Sequence, residues 1–193
     1  MSHSGALGAG RWVRSAASLL AAAMVTTAAA QVTFSVTGTV TGTLDGEERA
    51  WNVLEYDAGE GPDSTSWLRT LSVGPVTLIM LEVQAHPGER FAIEGTLVLG
   101  GVLGSLEGCP CAVSEPEVTY VPTESLFEDV YKSLDAEVVV SSLERSADGT
   151  YRVTGTFRAL LGHVGDIRRD RPDPDMTMRV EGRFALDHVF GEE

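Results

Sequence analysis

Cys109-Pro110-Cys111 is the sharpest local feature of the chain. Two thiols one residue apart can close a small disulfide ring, work as a redox pair, or clip a soft metal ion. The neighbouring acids Glu107, Glu115 and Glu117 oppose thiolate formation and so lower reactivity. No C-x-x-C is present and no histidine adjoins the pair, so a metal set is incomplete. A pair of cysteines in an exported chain is normally oxidised. The expectation is therefore a structural disulfide between Cys109 and Cys111.

A second cluster, Asp57, Glu60 and Asp63, crowds one loop without a basic neighbour. Calcium takes several oxygen ligands, which makes these three acids the candidate calcium loop. The competing reading is simple solvation, and the D-x-D-x-D-G spacing of an EF-hand is missing.

Signatures of catalysis are absent. There is no G-x-S-x-G, no H-E-x-x-H and no phosphate-binding loop. His86, His163 and His188 lie far apart with no paired motif. Carboxylates are abundant enough for a glycosidase-like acid pair, but the sequence singles out none. Nothing requires a cofactor. Thr33, Ser35, Thr37, Thr39, Thr41 and Thr43 alternate along one strand. An ordered water layer would need many such rungs, and the β-propensity of threonine accounts for one.

The elements that must position these residues show a shared pattern, apolar-x-apolar-x-Gly-x-apolar. It occurs at Phe34–Val40, Phe91–Leu97, Tyr151–Phe157 and Met178–Phe184. The period is two, so each copy reads as a strand with its apolar residues on one face. Gly38, Gly95, Gly155 and Gly182 fall on that same face, and they are the expected core glycines. Glycine weakens a strand interior, so each needs a reason: sharp coiling, or room for a large ring. Trp51, Tyr56 and Trp67, from facing strands, are the rings expected to fill the notches. The copies are too unevenly spaced to be repeated domains.

Strands are expected over 31–44, 49–56, 66–73, 76–84, 90–99, 118–121, 136–143, 150–161 and 176–189. Residues 100–117 read as irregular, and 124–133 as one or two helical turns. Asp45-Gly46 and Asp148-Gly149 are hairpin dipeptides. The fold class is thus all-β: a single-domain antiparallel β-sandwich or barrel of about nine strands, spanning residues 31–193.

Residues 1–30 stand apart. Arg11 and Arg14 precede a small-residue apolar run that ends in Ala28-Ala29-Ala30. That is the pattern of a signal peptide cleaved after Ala30, and the run is short for a membrane span. The expected protein is exported, to the periplasm or the exterior, with no stable membrane anchor. The net charge of −14 deepens once the two arginines leave. Such a surface repels phosphate backbones, which argues against nucleic acid.

The expected role is a soluble, non-catalytic binding or structural module, partnered by a protein or an apolar small molecule. A β-barrel carrier of an apolar small molecule is the first alternative, and a carboxylate-dependent hydrolase the second.

Overall fold

The computed structural model describes residues 32–57, 61–73, 76–104, 109–125, 128–165 and 171–192. The expected signal peptide lies outside them. The fold is all-β and forms a single domain. Eleven strands follow one another: β1 (Thr33–Leu44), β2 (Glu47–Asp57), β3 (Pro62–Ser64), β4 (Ser66–Val73), β5 (Val76–Ala85), β6 (Thr96–Leu103), β7 (Cys111–Ala112), β8 (Ser114–Val121), β9 (Tyr131–Arg145), β10 (Tyr151–His163) and β11 (Asp173–Glu192). The two beyond the expected nine are the short β3 and β7.

Their hydrogen-bonded order is β10-β9-β8-β6-β5-β4-β11, and β11 pairs back onto β10. The ladders thus trace a closed, barrel-like circuit. β11 also carries a branch, β1-β2-β3. The branch is tied back by Asn52 and His86, which exchange backbone hydrogen bonds of 2.7 and 2.8 Å at the end of β5. Every ladder is antiparallel except the short β11–β4 contact, where Phe190 lies beside Trp67 in parallel.

Local chemistry sets the hairpins. Asp45 and Gly46 both have positive φ, 50° and 84°. A two-residue turn between right-twisted strands requires that pair of conformations. At the β9–β10 hairpin only Gly149 is positive, at 90°, and the loop is longer: Ser146 N–H donates to Thr150 O.

Two expected elements are corrected. The strand expected over 90–99 begins only at Thr96. Gly95 precedes it in a turn with φ +76°, so it is a turn glycine and not a core one. Its carbonyl accepts the Trp51 indole N–H at 2.8 Å. The stretch 100–117 is not irregular throughout, since β6 runs to Leu103 and β8 starts at Ser114. A bulge at Gly101, with φ +148° opposite Glu115 at +49°, hides that ladder from a period-2 reading. No helical turn occurs among the described residues of 124–133, and β9 begins at Tyr131. In β1 a second bulge, between Val36 and Gly38, turns Val36 outward and interrupts the threonine row.

The barrel interior is filled by one cluster that includes Val40, Trp51, Leu81, Leu99, Phe157 and Phe184. The three remaining glycines explain how strands so rich in large residues approach each other. Gly155 pairs with Phe184, and Phe157 pairs with Gly182, on the β10–β11 ladder. Gly38 pairs with Leu186 on the β1–β11 ladder. Each glycine therefore lies opposite a large apolar side chain of the neighbouring strand. A Cβ on Gly155 would strike the Phe184 ring and the Val139 carbonyl, and one on Gly38 would meet Leu186 at 2.9 Å. An aromatic ring covering a cross-strand glycine is a known device for sheet curvature. The fillers at Gly155 and Gly38 are thus Phe184 and Leu186, side chains of the same sheet and not the tryptophans of facing strands, whereas a Cβ on Gly182 would meet the β1 backbone at Thr41 and Gly42.

Candidate ligand groove

The outward faces of β5, β6 and β8 form a groove of about 600 Å³. Alternation places Leu81, Val83, Leu97 and Leu99 in the core, which leaves Met80, Glu82, Gln84, Val98, Gly100 and Val102 on the other side. The ladders set these residues in cross-strand rows. Met80 pairs with Val102; Glu82 with Gly100, then Glu117; Gln84 with Val98, then Thr119. The segment after His86 folds over one end of the groove and brings Phe91, Ala92 and Ile93 to its wall.

Gly100 makes the floor. It lies mid-strand between Glu82 and Glu117, and its φ is not in the left-handed region. A Cβ there would meet only Leu81 O, at 3.4 Å, an ordinary contact. The fold therefore has no need of glycine at this position, unlike Gly38, Gly155 and Gly182. The missing side chain opens the groove between two carboxylates about 10 Å apart, two strand spacings. Glu82 accepts from Gln84 Nε2 at 3.1 Å, and Glu117 faces Lys132 Nζ at 3.9 Å.

His86 closes the end of the groove and is 1% exposed. Its Nδ1 lies 2.8 Å from Ala92 O and 3.0 Å from Thr96 Oγ1. The Thr96 hydroxyl itself donates to Ala92 O, so both neighbours accept from Nδ1. That nitrogen carries the proton. Burial pushes the imidazole below its ordinary pKa, against the opposing hydrogen bond to Ala92. The ring is then neutral, and Nε2 is a bare acceptor with no partner among the described residues. Phe91, 55% exposed, packs against it in a tilted arrangement, with ring centroids 4.7 Å apart and planes at 49°.

No known family, characterised protein or solved structure matches this chain.

The sites expected from sequence are placed as follows. Cys109 and Cys111 lie at disulfide distance, packed on the edge of the core. Asp57 and Asp63 sit on the paired β2 and β3, and Glu60 lies outside the described residues. Asp63 is already engaged: it accepts from Tyr56 Oη at 2.7 Å and from the Ser64 amide at 2.8 Å. The first of these bonds raises the Tyr56 pKa. Among the described residues no three His, Cys, Asp or Glu side chains gather as a metal would need.

Two histidines join elements. His188 Nδ1 is 2.6 Å from Glu55 Oε2 and its Nε2 is 3.6 Å from Asp148. Asp148 is held below the usual carboxylate range by the Thr150 hydroxyl and amide. The arrangement links β2, β11 and the β9–β10 turn, and both imidazole nitrogens of His188 lie against carboxylates. His163 Nε2 pairs with Asp129 at 3.0 Å. The groove itself was missed in the sequence, although Gly100, a mid-strand glycine without a steric duty, was its one available signal.

Proposed function

We propose that this chain is an exported, non-catalytic binding domain whose groove over β5, β6 and β8 takes up an apolar small molecule. The observation that carries the reading is Gly100. A glycine in a central strand costs stability, and here no contact or backbone angle demands it. Open floor is what it supplies. The apolar walls from Met80, Val98, Val102, Phe91 and Ile93 suit a ligand site, which is typically concave and mostly apolar with a few placed polar groups.

Glu82 and Glu117 flank Gly100 in one cross-strand row, about 10 Å apart and so beyond the roughly 5–9.5 Å that paired glycosidase carboxylates use. An acid catalyst needs an apolar enclosure to keep its proton, whereas Glu117 is exposed and faces Lys132. Binding is the simpler use of the groove.

Titration with Nile red, an uncharged apolar dye, tests the reading. The wild type should enhance its fluorescence saturably. Gly100→Phe, which fills the floor, should abolish the enhancement while leaving the β circular dichroism spectrum unchanged. Equal enhancement by both proteins would remove the groove as the site.

A further inference from the structure

The apolar reading of the groove leaves His86 unexplained. A buried polar atom without a partner is costly, and neutral apolar ligands would leave it so. Nδ1 is satisfied by Ala92 O and Thr96 Oγ1. Nε2 is not satisfied by any described group, yet His86 lines the same groove as Met80, Val98 and Gly100. The two nitrogens have been given different duties by the fold. One fixes the tautomer, and the other is kept as a lone pair.

A lone pair recognises a donor. The groove's charge selects in the same direction, since among the described residues Glu82, Glu115 and Glu117 line it against a single cation, Lys132. A carboxylate or sulfate head would be repelled by this wall and would offer Nε2 no hydrogen. A hydroxyl or an ammonium would be accepted by both. The geometry also sets a length. From His86 to Met80 is six residues along β5, about 20 Å of extended chain, and the apolar side chains Val98, Met80 and Val102 lie along that path.

We infer that the ligand of this groove is an amphiphile with a hydrogen-bond-donating head, an alcohol or amine and not a fatty acid, seated with its head on His86 Nε2 and its chain along β5 and β6. The inference rests on the groove reading and sharpens it. Phe91 is the gate, because its ring covers the imidazole while remaining largely exposed and outside any strand. Its movement uncovers Nε2.

The test uses a twelve-carbon series on the full-length purified protein: dodecanol, dodecylamine and dodecanoate, measured by displacement of Nile red. The variant is His86→Asn. Asparagine carries an amide N–H at the level of Nδ1, so it keeps the bond to Ala92 O, and it has nothing at the level of Nε2. Dodecanol and dodecylamine should displace the dye from the wild type at least tenfold more effectively than dodecanoate. In His86→Asn the alcohol should weaken by roughly three- to tenfold, the range of one hydrogen bond, relative to Nile red titrated on the same variant. Equal potency of all three heads, or an unchanged alcohol in His86→Asn, would overturn the donor-head inference and leave the groove standing. Failure of Nile red to bind the wild type, or its equal binding to Gly100→Phe, would instead overturn the groove reading beneath it. Should His86→Asn unfold, Phe91→Ala supplies the second measure: with the gate removed, dodecanol should gain in potency relative to dodecanoate on the same variant, and an unchanged or smaller ratio would overturn the seat at Nε2.

Discussion

Two glycine-to-alanine substitutions, at Gly155 and Gly100, should have opposite effects on stability although both sites lie in strands of the same barrel. At Gly155 the added methyl would overlap the Phe184 ring and the Val139 carbonyl. The ring is locked in the core at 2% exposure, and the carbonyl belongs to the neighbouring strand of the ladder. Neither can withdraw without moving a strand. Overpacking of that kind costs about 1–3 kcal/mol. At Gly100 the same methyl stands 3.4 Å from Leu81 O and meets nothing else within 4 Å. Here alanine should stabilise by about 0.4–1 kcal/mol, because it restricts the unfolded chain without straining the fold. The gap between the variants is then roughly 2–3 kcal/mol. With a urea slope of about 1–3 kcal/mol/M, it should separate their unfolding midpoints by roughly 1 M. Urea melts followed by tryptophan fluorescence would measure it. A Gly155→Ala protein as stable as the wild type would refute the argument that Phe184 occupies the space of a missing side chain. A loss of more than about 1 kcal/mol at Gly100, larger than alanine's expected gain, would show that the fold does require that glycine.

Three further predictions concern other sites. His86, with its pKa lowered in the fold, binds fewer protons there than in the unfolded chain, so its contribution to stability is complete above about pH 6.5 and is lost as pH falls below it. Melts at pH 7 and pH 5 should show a smaller pH-dependent loss in His86→Asn than in the wild type, and equal losses would exclude a buried neutral imidazole. Cys109 and Cys111 should resist thiol labelling in the native exported protein, and the double serine variant should lose no more than about 2 kcal/mol, since so short a loop removes little unfolded-state entropy; a free thiol would contradict the bridge. The secreted form should begin at or near Gln31, and N-terminal sequencing that returned Met1 would contradict cleavage after Ala30.

The parts of this fold that were legible are those where period and conformation agree. β10 and β11 alternate cleanly, and their buried residues, Val153, Phe157, Val180 and Phe184, are those the pattern places on one face. Asp45-Gly46 makes the turn its chemistry dictates. The segment Phe91–Leu97 misled because the motif records where a glycine stands and not its φ. With Gly95 at +76° the chain turns there, and Phe91 faces solvent instead of the core. β8 was half hidden because Pro116 and the bulge beside it break the alternation that marks a strand. The groove was illegible for a different reason. Its rows depend on β5, β6 and β8 being neighbours, and no local pattern states which strands pair. The lone pair of His86 likewise exists only because Ala92 O and Thr96 Oγ1 reach the other nitrogen.

The reciprocal glycine–phenylalanine pairs have a consequence for how the circuit closes. β10 carries Gly155-Thr156-Phe157 and β11 carries Gly182-Arg183-Phe184. Run antiparallel, each glycine meets the other strand's phenylalanine. A slip of one residue would turn one strand's apolar face to solvent. A slip of two would keep the faces but oppose Gly155 to Gly182 in one direction, leaving a void, and Phe157 to Phe184 in the other, forcing two rings into one space. Both errors are therefore penalised by the same four residues, and only the observed alignment fills the interior once. Since β11 also holds β1 and β4, this short stretch of sequence fixes the phase of the strand on which three other strands depend.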